Sequence, residues 1–408
     1  MDEPFIASLY KSDDERIETD LPPLVYDVWS SAERAAPGDA QWLSIIGHAG
    51  KLLNEQPVTA KTRKPFDRTN TVMDIQLDGG GSVFVRVLVW RDEDPEDPVE
   101  TWKRARLFAE FSILRWLEAN ASSLPVPRVL AFNDINGLLV TTLMPGLDAA
   151  HTYPRLSTAA KEHSVASWAH VSVLMFRLPV PQQFGMIEDP PVQGRLHLSL
   201  SPEHTFDTDN TTDLLSFFMS AISTRRTRSL MINNLEEQEM LCRRLDRLLE
   251  GLKPLVALAQ DTLYMSRFAL THRDPRSDNI ILDETSGEVV GIVDWEFNGC
   301  VPACMSAEYP SWIRSPIFKS PLYRNAKSKF LAFFNEPRTE RNRLSDLYEK
   351  TVKELDEDYY NCLLHGTRLC DVLAWIENNY NDHDGFGMER WTEEHLFPTV
   401  AEADHRCA

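Results

Sequence analysis

The sequence predicts an α+β chain of two lobes, a small one carrying an antiparallel sheet with a helix, and a large, mainly helical one. Three observations carry that prediction. The chain has 408 residues, more than one hydrophobic core ordinarily serves. Residues 71–89 alternate apolar and polar around a glycine turn, which is hairpin patterning, whereas residues 147–267 repeat their apolar positions at helical spacing. Between that helical region and the C-terminal part, residues 268–297 read FALTHRDPRSDNIILDETSGEVVGIVDWEF, a strand, a polar loop and a hairpin.

Composition narrows the partners. A formal net charge of -20 argues against a nucleic acid, because phosphate backbones are held by clustered Lys and Arg; it suits a small cationic substrate and equally serves solubility. The six cysteines, Cys242, Cys300, Cys304, Cys362, Cys370 and Cys407, follow neither zinc-ligand spacing nor a dense disulfide framework, which predicts reduced thiols. The first residues, MDEPFIASLYKSDDERIE, are acidic and lack a basic segment leading into an apolar one. No uncharged apolar run approaches the roughly 20 residues of a membrane span. A cytosolic protein with no membrane partner is therefore expected; oligomeric state leaves no mark in the sequence.

Taken in order, residues 1–63 predict a helical N-terminal extension. Leu24, Val25, Val28 and Trp29 fall on one helix face, and Trp42, Leu43, Ile45, Ile46, Leu52 and Leu53 on another. The small lobe is expected over 64–145. Its first hairpin runs over 71–77, turns at 78–82 and returns over 83–89, where Arg86 sits mid-strand among apolar neighbours and needs a partner. Residues 92–98, crowded with acids and prolines, read as an exposed loop. A helix over 101–120 places Leu107, Phe111, Leu114 and Leu117 on one face, and Glu110 in the same arc is the candidate partner of Arg86. Residues 138–146 read as a strand ending in Pro145-Gly146. The large lobe, 146–408, is expected to hold helices over 158–176, 235–249, 344–364 and 369–378. The basic patch at 225–228 predicts an exposed helix end.

Phosphoryl transfer asks a protein for a carboxylate that receives or orients the acceptor hydroxyl proton, and for hard oxygen ligands to magnesium. Asp274 suits the first task. Asn279, five positions on, and Asp294, delivered by the second strand of the hairpin, suit the second. The spacing H-x-D-x-x-x-x-N, then a hairpin, then D, is that of the protein-kinase catalytic loop and its metal-binding Asp. With Asp294-Trp295-Glu296 where a protein kinase has D-F-G, residues 66–313 resemble the aminoglycoside phosphotransferase and choline-kinase-like family, whose members carry H-G-D-x-x-x-x-N and then I-D-W-E.

The resemblance implies a bilobal protein-kinase-like fold and a phosphotransferase that uses ATP and Mg on a small-molecule acceptor, amine-bearing if the net acidity reaches the pocket. It makes Asp274 and His272 the catalytic-loop pair, with His272 supporting the loop rather than taking a proton. Asn279 and Asp294 become the metal ligands, Arg86 positioned by Glu110 the phosphate holder, and the backbone at Thr142, Leu143 and Met144 the adenine edge. Glu296 either adjusts the metal site or serves structure. Glu354, Asp356, Glu357 and Asp358 either line the site of a cationic acceptor or stand solvated. Three departures from the family pattern stand out. Residues 64–70, KPFDRTN, lack the glycines that let backbone approach phosphate; Arg273 replaces Gly; and Pro275 replaces Leu, removing an amide and biasing Asp274 towards extended backbone. They keep open an alternative, a degenerate kinase fold that binds a ligand or partner without transfer. A protein kinase is disfavoured by the missing D-F-G and A-P-E.

Overall fold

A computed structural model describes residues 26–30, 40–63, 70–88, 98–187, 195–197, 205–207, 213–229, 234–313, 337–377 and 386–397. The small lobe is built on a six-stranded antiparallel sheet. In spatial order its strands are β1 (Tyr26–Ser30), β2 (Pro57–Arg63), β3 (Asn70–Leu77), β4 (Ser82–Leu88), β6 (Leu138–Thr142) and β5 (Val129–Asn133). Side chains on a strand alternate between faces. Val83, Val85 and Val87 of β4 take one face, with Met73, Ile75 and Val140, and helix α1 (Ala40–Leu53) closes over them with Ile45, Ile46 and Ala49. Phe84, Arg86 and Leu88 take the other face, where Arg86 stands across the ladder from Val72 and Leu139. That register turns Arg86 towards helix α2 (Pro98–Asn120), whose Leu107 packs with Leu88 and Leu139.

The N-terminal segment departs from the expected helical extension. Val28 and Trp29 lie in β1, and residues 57–63 form β2, so the sheet begins well before residue 64. Both stretches are rich in β-branched and aromatic residues, which suit a pleated ladder. The helix expected from Trp42 to Leu53 is α1. Leu24 and Val25 lie outside the described residues, as do 64–69 and 89–97, which hold most of the glycine-poor stretch and of the acidic loop.

The chain leaves β6 through residues 143–146 and enters β7 (Leu147–Asp148). Gly146 turns there at φ 97°, and a Cβ on it would strike the Leu282 carbonyl. Two short strands, β8 (Arg195–His197) and β9 (Thr205–Asp207), pair with each other. Strand β10 (Phe268–Thr271) pairs with β13 (Gly299–Pro302), and β11 (Ile280–Leu282) joins β12 (Val289–Ile292) on one side and β7 on the other. Around these hairpins lie α3 (Thr158–Arg177), α4 (Leu214–Ser229), α5 (Leu235–Gln260), α6 (Arg338–Leu355), α7 (Glu357–Glu377) and α8 (Phe386–Leu396), sharing one large core. Among the described residues no helix is long and apolar enough to cross a membrane.

Three helical expectations change. Helix α5 runs past 249 to Gln260 and through Pro254, which is exposed, while Leu252, Val256 and Ala259 are buried and hold the last turns. The helix expected over 344–364 is two helices broken at Asp356, and the segment expected over 369–378 is the end of α7. Asp356, at φ -159°, caps α7 by accepting the Tyr359 N–H at 2.9 Å and pairs with Arg177 at 2.5 Å. Arg225, expected at an exposed helix end, is 5% exposed.

Candidate active site

The loop from β10 to β11 is built around His272. Its imidazole is buried and lies edge-on to Trp295, ring centroids 4.7 Å apart. Nε2 is 2.9 Å from the Val293 carbonyl oxygen, and Nδ1 is 3.3 Å from the Asp274 backbone nitrogen. A carbonyl can only accept and an amide N–H can only donate, so the ring is neutral with its proton on Nε2. Burial pushes its pKa down to about 4. Both ring nitrogens are thereby engaged inside the protein. Arg273 follows in the left-handed region at φ 62°, the conformation that explains a glycine at this place in the resembled family.

Asn279 Nδ2 donates to the Asp274 carbonyl oxygen at 2.9 Å and to its Oδ2 at 3.2 Å, while Arg276 Nε stands 2.9 Å from Oδ1. Burial raises the Asp274 pKa to about 7; Asp294 and Asp278 add to the rise, and Arg276 and Asn279 oppose it. The missing amide of Pro275 is not needed by the turn. That turn closes instead through the Arg276 N–H to the Asp274 carbonyl, 2.8 Å, and the Asn279 N–H to the Arg276 carbonyl, 2.9 Å.

Asp294 leaves β12 in left-handed conformation, φ 67°, and meets Arg86 Nη2 through Oδ1 at 2.5 Å. Arg86 Nη1 meets Glu110 Oε2 at 2.8 Å and Glu296 Oε2 at 3.1 Å. The other Glu296 oxygen is held by Arg106 Nη2, and the Arg106 guanidinium lies 4.3 Å from the ring centroids of both Trp102 and Phe297. Burial works to raise the Asp294 carboxyl, but the charge and hydrogen bond of Arg86 outweigh it and hold its pKa below the ordinary value. At Glu110 burial wins and the pKa is raised.

Of these groups, Arg86, Glu110, Asn279 and Asp294 open on a cleft between the lobes with about 990 Å³ of empty volume, its mouth included. Apolar walls come from Val72, Leu139 and Ile281, and Arg86, Glu110, Asn279, Asp294, Thr142, Leu143 and Met144 also line it. Asp274 is joined to it through Asn279, and His272 through Asp274. The Thr142 N–H is taken by the Arg128 carbonyl at 2.9 Å; among the described residues the backbone groups of Leu143 and Met144 make no such bond. Asp148 and Asp278 line the cleft as well, unforeseen. Arg106 was also missed, although Trp102, Arg106 and Glu110 recur every four residues along α2 and so share a face. The late acids are elsewhere: Glu354 is exposed and Asp356 is committed to its cap and Arg177.

Among the described residues no cluster of three or more His, Cys, Asp or Glu is placed to hold a metal ion. The donors the sequence singles out, the Asp294 carboxylate and the Asn279 carbonyl oxygen, both line the cleft, and the Asn279 amide nitrogen is committed to Asp274. Two hard oxygen donors are what magnesium takes from a protein when phosphates complete its shell, so the residues fit that ion.

Residues 65–304 match the model of the phosphotransferase enzyme family. Clavilactone A biosynthesis cluster protein Y of Ampulloclitocybe clavipes is 24% identical over 396 residues, 94% of each chain. The crystal structure of a candidate fructosamine-3-kinase from Thermobifida fusca aligns over 86% of this chain and 99% of that one, at 15% identity and a TM-score of 0.51. An ADP-bound aminoglycoside phosphotransferase aligns over 88% and 97%, at 14% identity and a TM-score of 0.45. The Thermobifida likeness shows the fold, a bilobal, kinase-like α+β architecture.

Proposed function

The chain belongs to the phosphotransferase enzyme family, and from that premise we propose that it moves the γ-phosphoryl group of ATP to a hydroxyl of a small, amine-bearing molecule. The observation that carries this reading is the meeting of Arg86, Asn279 and Asp294 at one cleft, with Asp274 tied to it by Asn279.

Asp274 is the base. It takes the hydroxyl proton as the acceptor oxygen bonds to phosphorus and the bond from phosphorus to the ADP oxygen breaks. A carboxyl titrating near 7 can accept that proton and release it again. Asn279 orients it, and His272, neutral and doubly bonded, positions the Asp274 amide and the exit of β12. Arg86, steadied by Glu110, meets the phosphates. Asn279 and Asp294 would hold magnesium, which neutralises phosphate charge. Leu143 and Met144 present backbone groups to the adenine edge.

The acidity of the chain, together with Asp148 and Asp278 at the cleft, supports a cationic acceptor. Likeness to a biosynthesis cluster protein supports a small-molecule one. A cytosolic setting belongs to the same proposal. The alternative, a relative that binds without transferring, draws on Arg276, which covers Asp274 Oδ1.

Thermal unfolding with ATP, with and without magnesium, tests the reading. A ligand at a hundred times its Kd adds about 2.7 kcal/mol to the folded state. The expected result is a magnesium-dependent rise in midpoint that Asp294→Asn loses, with ADP released when small hydroxylated amines are added. A rise with no release from any of them points to the non-transferring relative, and no rise at millimolar ATP removes the nucleotide from the proposal.

A further inference from the structure

We propose that Glu296, itself held by Arg106, is a positioning residue that divides the Arg86 guanidinium into an anchored nitrogen and an exchanging one. Nη1 stays fixed, and Nη2 passes between Asp294 and a nucleotide phosphate. The inference rests on the phosphotransferase reading and describes how that site takes its nucleotide.

The described contacts of the two nitrogens differ in origin. Nη1 meets two carboxylates, Glu110 at 2.8 Å and Glu296 at 3.1 Å, whereas Nη2 meets Asp294 at 2.5 Å. The anchors come from opposite sides of the cleft, Glu110 from α2 and Glu296 from the turn after β12. Glu296 is immobilised in turn. Its second oxygen is on Arg106, whose guanidinium packs against Trp102 and Phe297. Exposure follows the same division: the Arg106 and Glu296 side chains are 3% and 6% exposed, and Asp294 is 18% exposed. Asp294 lines the cleft, and Glu296 is absent from its walls.

Among the described contacts, three carboxylates meet the Arg86 and Arg106 guanidiniums. Asp294 is the member placed to meet a cation from the cleft. When Nη2 turns to a phosphate, an Asp294 oxygen is released for magnesium while Nη1 keeps its two acids. A guanidinium can do both because its nitrogens are separate and its fork is rigid; an ammonium is a single point. This gives Arg at position 86 a purpose and makes Glu296 part of phosphate binding without being a metal ligand.

The test is the Kd of ATP with magnesium and the Kd of adenosine, measured by calorimetry on the full chain. The variants are Glu296→Gln, Arg86→Lys and the double variant. Glu296→Gln is expected to weaken ATP about 10- to 100-fold, as loss of a supporting partner does, and to leave adenosine unchanged. In the Arg86→Lys background the same change should cost less than about threefold, because both substitutions act through one nitrogen. If Glu296→Gln does not fold, Arg106→Lys, which keeps the charge, makes the same comparison. Equal weakening of ATP and adenosine, undiminished loss in the Arg86→Lys background, or no loss at all would overturn the inference alone. A native chain that binds no ATP overturns the phosphotransferase reading and this inference with it.

Discussion

The His272 imidazole has its proton on Nε2 because Nδ1 receives the Asp274 amide, and this fixes how the protein responds to acid. An unfolded chain takes up the histidine proton near pH 6.5, the folded chain only near pH 4. Between those values the unfolded state binds more protons, so stability is lost as pH falls, by about 2 kcal/mol at pH 5. Urea unfolding at pH 7.5 and pH 5 should therefore show a smaller acid loss in His272→Gln than in the native chain, by that amount. Equal losses would refute a buried neutral imidazole. At Asp274 the prediction is chemical. Asp274→Asn keeps an oxygen for Asn279 but removes the proposed base, so transfer should fall about 10²- to 10⁴-fold while the rise in midpoint with ATP and magnesium persists. Loss of that rise as well would mean that Asp274 serves nucleotide binding and not proton transfer.

Helix α7 brings Gly366 against the carbonyl of Cys304, so close that a Cβ there would strike it. Alanine is the better helix former by about 1 kcal/mol. Gly366→Ala is nevertheless expected to destabilise, by about 2 kcal/mol, because overpacking a backbone contact outweighs propensity. A raised midpoint in thermal unfolding would show that α7 can move off the turn at Ala303–Met305. Nothing in the sequence around Gly366 announces this contact, and the same holds for other features it left unread. The β3–β4 hairpin, α2 and the β11–β12 hairpin were legible because their signals are local: alternation, an apolar stripe, and a turn in which Asp283 accepts from Thr285 and Ser286. The break at Asp356 was not, since Leu344, Val352, Tyr359 and Leu363 keep apolar spacing across it and Arg177 reaches it only in space. Strand β1 has five residues, and β2 carries Ala60, Lys61 and Arg63 beside its β-branched positions, so the ladder with β3 rather than local pattern decided them. His272, Asp274 and Asn279, proposed above for the catalytic loop, share a recognisable spacing; the Arg106–Glu296 pair joins residues distant in sequence and has no spacing to find.

The two lobes have separate cores, one around Met73, Ile75, Val85 and Val140, the other running through the helices of the large lobe. Helix α2 links the sheet to the large core, with Leu107 packed on Leu88 and Leu139 at the opposite face of the sheet and Ile113, Leu114 and Leu117 in the large core. The charge cluster is the second link, since Arg86 and Arg106 of the small lobe reach Asp294 and Glu296 of the large one. Truncating one member of such a buried cluster costs about 3–5 kcal/mol, because the remaining charges are left facing each other out of water. In Arg86→Ala the charges left behind are Glu110, Asp294 and Glu296, and the strand that loses its hold on the large lobe is β4. The cost should therefore fall on the small lobe. Native-state hydrogen exchange is expected to speed up by about 10²-fold or more in β3 and β4 while β10 and β13 keep their protection. Uniform acceleration through both lobes would mean that they open as one unit. The cleft would then be a rigid seam, and a nucleotide would have to enter it without the small lobe moving.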